Sequence, residues 1–204
     1  MFVWHGFCCL FGMTVIYANS GDRDTILLQA IWQGLHVDTY IEIGHDDYDY
    51  DYEDTVEAAL INEDDTLILC GHGTSLGLLH PNWDSGQYII HENNAHLIHA
   101  RTVIGHWCWA AEFAENNHLH GFFTGMFISN VGEAEGFDIF DIHSDNDDID
   151  IDIQQYETYF MEHTHMLLES HTPLNEWIGS FANDGINFNN VIGSFNYNGL
   201  RYFD

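Results

Sequence analysis

"TLILCGHGTSLGLL", residues 66–79, sets the fold class of this chain. Thr66-Leu67-Ile68-Leu69-Cys70 is a short apolar run closed by turn residues, which reads as a buried strand at the centre of a sheet. Gly71 and Gly73 let the backbone turn sharply and leave His72 at the strand's carboxyl end, where open α/β sheets gather ligands and chemistry. A histidine that merely decorates a turn fits this stretch equally well, so its role depends on what surrounds it.

Working outward, residues 13–18 form a first strand of β-formers stopped by Asn19-Ser20-Gly21. A helix is expected from about Asp24, with Leu27, Ala30, Ile31 and Leu35 as its apolar stripe. Residues 36–44 alternate as a half-buried second strand. The acidic, tyrosine-rich run 45–54 reads as a solvated loop leading into a short helix; it lacks the central glycine of a calcium loop. Residues 81–100 are a loop with a small hairpin and a short helix. A fourth strand covers 101–108, a helix starts directly from it over 109–116, and a fifth strand covers 121–129.

The acidic run 141–152 enters a helix reaching about Ser170. Another helix spans 172–183, with Thr172 as N-cap and Pro173 at its first position. The tail, 191–203, reads as a last strand or hairpin. The βαβα alternation predicts a single α/β domain over residues 13–204, a mostly parallel sheet with helices on both faces. Residues 1–12, "MFVWHGFCCLFG", form an apolar extension outside that fold; they lack the positive start of a signal peptide and are too short to span a bilayer.

Charge narrows the function. Among 204 residues, three arginines (Arg23, Arg101 and Arg201) face 33 acidic groups, for a formal net charge of −30, and there is no lysine. Such a surface repels phosphate backbones and anionic headgroups, so neither nucleic acid nor a membrane is an expected partner. It attracts basic peptides, and it serves equally as a solubility surface. The absence of lysine excludes Schiff-base chemistry on a lysine amine. Cys8, Cys9, Cys70 and Cys108 follow neither a zinc-ribbon spacing nor a disulfide framework, which fits a reducing, cytoplasmic setting.

Two strand ends carry the chemistry. Strand 66–70 delivers His72 and strand 101–108 delivers Cys108, both at the carboxyl edge of a parallel sheet. Adjacent strands lie about 5 Å apart, so a thiol and an imidazole there can share one substrate carbonyl. Cys attacks while His moves the proton, the minimum for acyl transfer. Cys108 also stands at the start of a helix, a position that favours the thiolate. The amides of Gly73 and Cys108 are the natural oxyanion donors, Gly73 having no side chain to block the approach. Cys70, inside a strand, is a core residue.

With "LILCGHG" (67–73) as a histidine block and "TVIGHWCWA" (102–110) as a cysteine block, the chain resembles the caspase-like cysteine peptidases of clan CD. "GFFTGMFISN" (121–130) is similar in character to their strand after the nucleophile helix. The resemblance covers roughly residues 13–130. It implies a caspase-like three-layer α/β sandwich, with Cys108 as nucleophile, His72 as catalytic histidine and no cofactor. In that group the residue before the nucleophile is usually small; here it is Trp107.

By the same resemblance the loop after strand one, "NSGDRDT" (19–25), helps to build the pocket for the residue before the cut bond. Arg23 there favours an acidic residue, while Asp22 or Asp24 favours Arg or Lys through a charge-assisted pair. The acidic field of the chain tilts the expectation toward a basic residue, although Asp24 serves equally as the cap of the following helix. The substrate is thus expected to be a peptide or protein. Two other classes remain open: a non-catalytic α/β binding module, and a zinc-dependent hydrolase with His72, His106 and Cys108 around the metal.

Overall fold

The computed structural model describes residues 12–45, 51–62, 65–82, 85–139, 146–183 and 191–204. The extension expected over 1–12 thus lies outside the described residues except for Gly12, as do parts of both acidic runs (46–50 and 141–145).

Among the described residues nine strands follow in chain order: β1 (Met13–Asn19), β2 (Thr39–Gly44), β3 (Thr66–Cys70), β4 (Gly73–Thr74), β5 (Gly77–Leu79), β6 (Tyr88–His91), β7 (Thr102–His106), β8 (Gly121–Phe123) and β9 (Arg201–Phe203). In β1, Ile16 and Ala18 enter one core while Val15 and Tyr17 enter another. The same split occurs in β3, where Leu67 and Leu69 face one layer and Ile68 and Cys70 the other. A strand covered on both faces needs apolar residues at every position, which is why these runs look continuous in the sequence.

The main sheet has the order β2-β1-β3-β7-β8-β9. All its pairings are parallel except the last, β8 with β9. Register places Tyr17 beside Cys70 and Cys70 beside His106, so β1, β3 and β7 end together. Between β1 and β3 the winding reverses direction, leaving a crevice at the carboxyl ends. His72 emerges at that crevice, flanked by the loop after β1 and by the turn after β7. The short strands β4, β5 and β6 form a separate antiparallel sheet.

Helices cover both faces. On one side α2 (Asp51–Ile61) and α4 (Ala110–Asn116) contribute Val56, Leu60, Phe113 and Ala114. A short α3 (Glu92–Ala95) follows β6. On the other side lie α1 (Arg23–Leu28) with its 3-10 extension Gln29–Ile31, the long α6 (Asn146–Glu169) and α7 (Leu174–Asn183). They bring Leu28, Ile31, Tyr156, Phe160, Trp177 and Phe181 onto the sheet. The architecture is therefore the expected mostly parallel α/β fold in three layers. Among the described residues no helix is long and apolar enough to cross a membrane.

Two expected strands are corrected. The fifth stops at Phe123 rather than continuing to Ser129. The carbonyls of Thr124 and Gly125 instead accept from the Ala111 and Trp109 amides, which turns the chain over the start of α4. The tail contains a helix, α8 (Val191–Gly199), before the short β9. Ile192 and Asn196, one turn apart, are both buried. Asn196 bonds the backbone of Ile128 twice, accepting from its amide at 2.7 Å and donating to its carbonyl at 3.1 Å. Between them α5 (Val131–Gly136) is capped by Asn130.

Candidate active site

Asp22 organises the loop after β1. It is the N-cap of α1, its Oδ1 accepting from the Thr25 amide at 2.8 Å and from the Thr25 hydroxyl at 3.0 Å. Its Oδ2 accepts from Ser20 Oγ at 2.6 Å and lies 2.7 Å from His72 Nε2. Burial pushes the carboxyl up, but the donors from Ser20, Thr25 and His72 outweigh it and hold Asp22 down at about 2. An ionised Asp22 can only accept, so His72 Nε2 carries a proton toward it. The helix cap expected at Asp24 is thus supplied by Asp22, and Asp22 faces the histidine rather than a substrate pocket.

His72 follows the break after β3, where Gly71 adopts φ +152° and donates to the His106 carbonyl at 3.2 Å. Leu79 donates to the His72 carbonyl at 2.9 Å, so this is a bonded pair and the next, Gly73 with Leu78, is a non-bonded one. The Gly73 amide is therefore directed away from β5. A Cβ on Gly73 would run into the Trp107 ring and come within 2.6 Å of the Gly77 carbonyl oxygen. Gly73→Ala is expected to cost about 2–3 kcal/mol of stability, seen as a lower urea midpoint. Trp107 accordingly packs beneath the turn, donating its Nε1–H to the Thr74 carbonyl at 3.1 Å. It is buried against Phe113 and leaves the cleft open.

Cys108 sits on a sharp strand-to-helix turn. Trp109, the N-cap of α4, has φ +69°, a left-handed conformation costing a bulky residue about 1–2 kcal/mol. The amides of Trp109, Ala110 and Ala111 are spent on the carbonyls of Gly125, Trp107 and Thr124, whereas that of Cys108 takes no carbonyl among the described residues. His72, Gly73 and Cys108 line one open cleft of about 600 Å³, with Thr74, Trp109 and Glu133. Beneath it an inner cavity of about 30 Å³ is lined by His72, His106, Cys108, Asp24, Ser129 and Glu157. The structure thus brings His72 and Cys108 to the same two spaces.

The thiol is not in the state expected of it. Burial, with Glu133 and Asp24 adding their charge, pushes Cys108 up to about 12, and its Sγ–H donates to the Phe127 carbonyl at 3.5 Å. The helix begins only at Ala110, two residues later, so Cys108 stands outside the first turn that would favour a thiolate. Cys70 is buried in the core, as expected, and burial drives its thiol far above the ordinary range.

Carboxylates line the spaces beside this thiol: Asp24, already a candidate in the sequence, and Glu133 and Glu157, which were not. Ser129 Oγ lies 2.9 Å from Asp24 Oδ2 and 3.1 Å from Glu133 Oε2, and the Ser129 amide donates to Glu133 at 2.9 Å. Arg23 is turned away from the cleft: its guanidinium donates to Glu157 and to the Ser129 carbonyl, each at 3.0 Å, and lies 3.4 Å from Asp24. Burial, then Asp24, pushes the 2 % exposed Glu157 up to about 8 against the pull of Arg23. Raised in the folded state, this group contributes stability below its ordinary 4.5 that is lost as pH climbs through about 8. The melting temperature of the natural chain is therefore expected to fall relative to that of Glu157→Gln across this window, measured by thermal scans.

His106 shares the thiol's face of the sheet but belongs to the core. It packs on Phe127 and Phe160, ring centroids 4.8 and 5.1 Å away, and burial lowers it to about 3. Among the described residues no group of three or more His, Cys, Asp or Glu side chains is placed to hold a metal ion.

No protein-family model, curated protein or solved structure matches this chain. The site must be read from its own chemistry.

Proposed function

We propose that this protein is a cysteine peptidase in which Cys108 is the nucleophile, His72 the proton carrier and Asp22 the residue that orients His72. The observation that carries the reading is the 2.7 Å bond between Asp22 and His72 at the rim of a cleft that also holds Cys108. With Nε2 committed to Asp22, Nδ1 is the nitrogen that exchanges the proton. The Cys108 proton passes to His72 as sulfur attacks the scissile carbonyl, and the oxyanion settles on the Gly73 and Cys108 amides. His72 then protonates the leaving amine, and water hydrolyses the thioester. The likeness to caspase-like peptidases in the histidine and cysteine blocks supports the same roles.

Glu112 and Glu133 line the cleft and no arginine does, which supports a basic residue before the cut bond. The test is hydrolysis of fluorogenic peptides carrying Arg, Lys, Asp or Asn at that position, with Cys108→Ala and His72→Ala as controls. Turnover of the Arg and Lys peptides that both substitutions remove supports the reading; silence across the panel overturns it. A second reading, a binding module that keeps this fold without turnover, draws on one observation: Cys108 is only partly exposed and its Sγ–H is taken by the Phe127 carbonyl at 3.5 Å.

A further inference from the structure

We propose that the charge of the substrate gates the nucleophile: a guanidinium or ammonium group seated in the cleft at Glu133, near Asp24, offsets the field of these carboxylates on Cys108 and lets the thiol pass its proton to His72. The proposal takes its substrate from the peptidase reading but concerns only the thiol.

Three elements bring carboxylates to the two spaces beside Cys108: Glu133 from α5 lines the cleft, and Asp24 from α1 and Glu157 from α6 line the cavity beneath it. Asp24 and Glu133 stand on either side of the single Ser129 hydroxyl, whose one proton can bond only one of them at a time. The nearby cation, Arg23, is shared among Asp24, Asp150 and the Glu157 carboxyl, so its one positive charge does not neutralise Asp24. His106 adds an independent sign of a polar visitor. It lines the inner cavity, is 6 % exposed, and its buried Nδ1 has no hydrogen-bond partner among the described residues. A neutral imidazole there can accept from a water that travels with a cationic head group.

Volume fixes where each part goes. The cleft of about 600 Å³ takes an arginine or lysine side chain, whereas the 30 Å³ beneath it holds about one water. The head group therefore rests at Glu133 above the inner cavity, beside the thiol. With no substrate present, burial first and these carboxylates second keep the thiol protonated, its Sγ–H on the Phe127 carbonyl. The resting enzyme is thereby protected from oxidation and alkylation.

The experiment is alkylation of Cys108 by iodoacetamide at about pH 8, read on the Cys108 peptide by mass spectrometry so that the other cysteines do not interfere. Butylguanidinium is compared with butylurea, its uncharged analogue. The expected result is a saturable acceleration of about tenfold with the cation, the effect of one pKa unit on a protonated thiol, and none with the urea. Glu133→Gln and Asp24→Asn should react faster without additive and respond less to the cation. Equal rates with both additives overturn the gate, as does a cation effect that survives both substitutions. If either variant fails to fold by circular dichroism, the two additives on the natural chain still decide. Acceleration without any peptide hydrolysis keeps the gate and overturns the peptidase; hydrolysis without acceleration does the reverse.

Discussion

Cys108→Ala is expected to abolish hydrolysis of peptides with Arg or Lys before the cut bond, and His72→Ala to lower kcat by about a thousandfold. The two effects differ because the roles differ. Without the sulfur no acyl intermediate can form, whereas without the imidazole a thiolate can still arise by losing its proton to solvent. That loss is rare here, since the thiol is pushed up to about 12 by burial, Glu133 and Asp24. The His72→Ala defect should therefore shrink as pH rises, which a pH profile of kcat would show. Cys70→Ala serves as the control, because Cys70 is fully buried in the core and touches neither space beside His72.

Asp22→Asn should lower kcat by about a hundredfold or more while leaving KM for basic peptides nearly unchanged. The carboxylate takes four donors and holds His72 by Nε2. An amide there can present an N–H to the ring, which rotates it or selects the other tautomer. A residue that bound the substrate's charge would do the opposite, raising KM for basic peptides alone. Steady-state kinetics on Arg and neutral peptides separates the two roles. There is also a stability signature. A carboxyl held at about 2 stabilises the fold above its ordinary 3.8, and that contribution is lost as pH falls through about 2. The variant should thus melt lower than the natural chain at neutral pH and converge with it in strong acid.

Legibility in the sequence followed burial. β1, β3 and β7 were readable because both their faces are covered, which demands apolar residues without interruption. His72 and Cys108 were readable because each follows such a strand. The segments 121–129 and 191–203 are equally rich in β-formers, yet they bend where long-range contacts require it. Gly125 lies against Gly199, and Asn196 bonds Ile128 across 68 positions. No local pattern encodes such partners. Asp22 did carry a local signal, since an Asp three residues before Thr25 is a helix N-cap, but its bond to His72 spans 50 positions.

By itself, then, the sequence determined the α/β class, the existence of the central strands, the ends that hold His72 and Cys108, and the acidity of the surroundings. These follow from side-chain polarity and short-range periodicity. Only the tertiary structure decided that Asp22 serves the histidine, that Arg23 is occupied by Glu157, and that Cys108 rests protonated among carboxylates from three helices. Charges act through space, and folding brings Asp24 beside Glu133 and Glu157, each more than a hundred positions further along the chain.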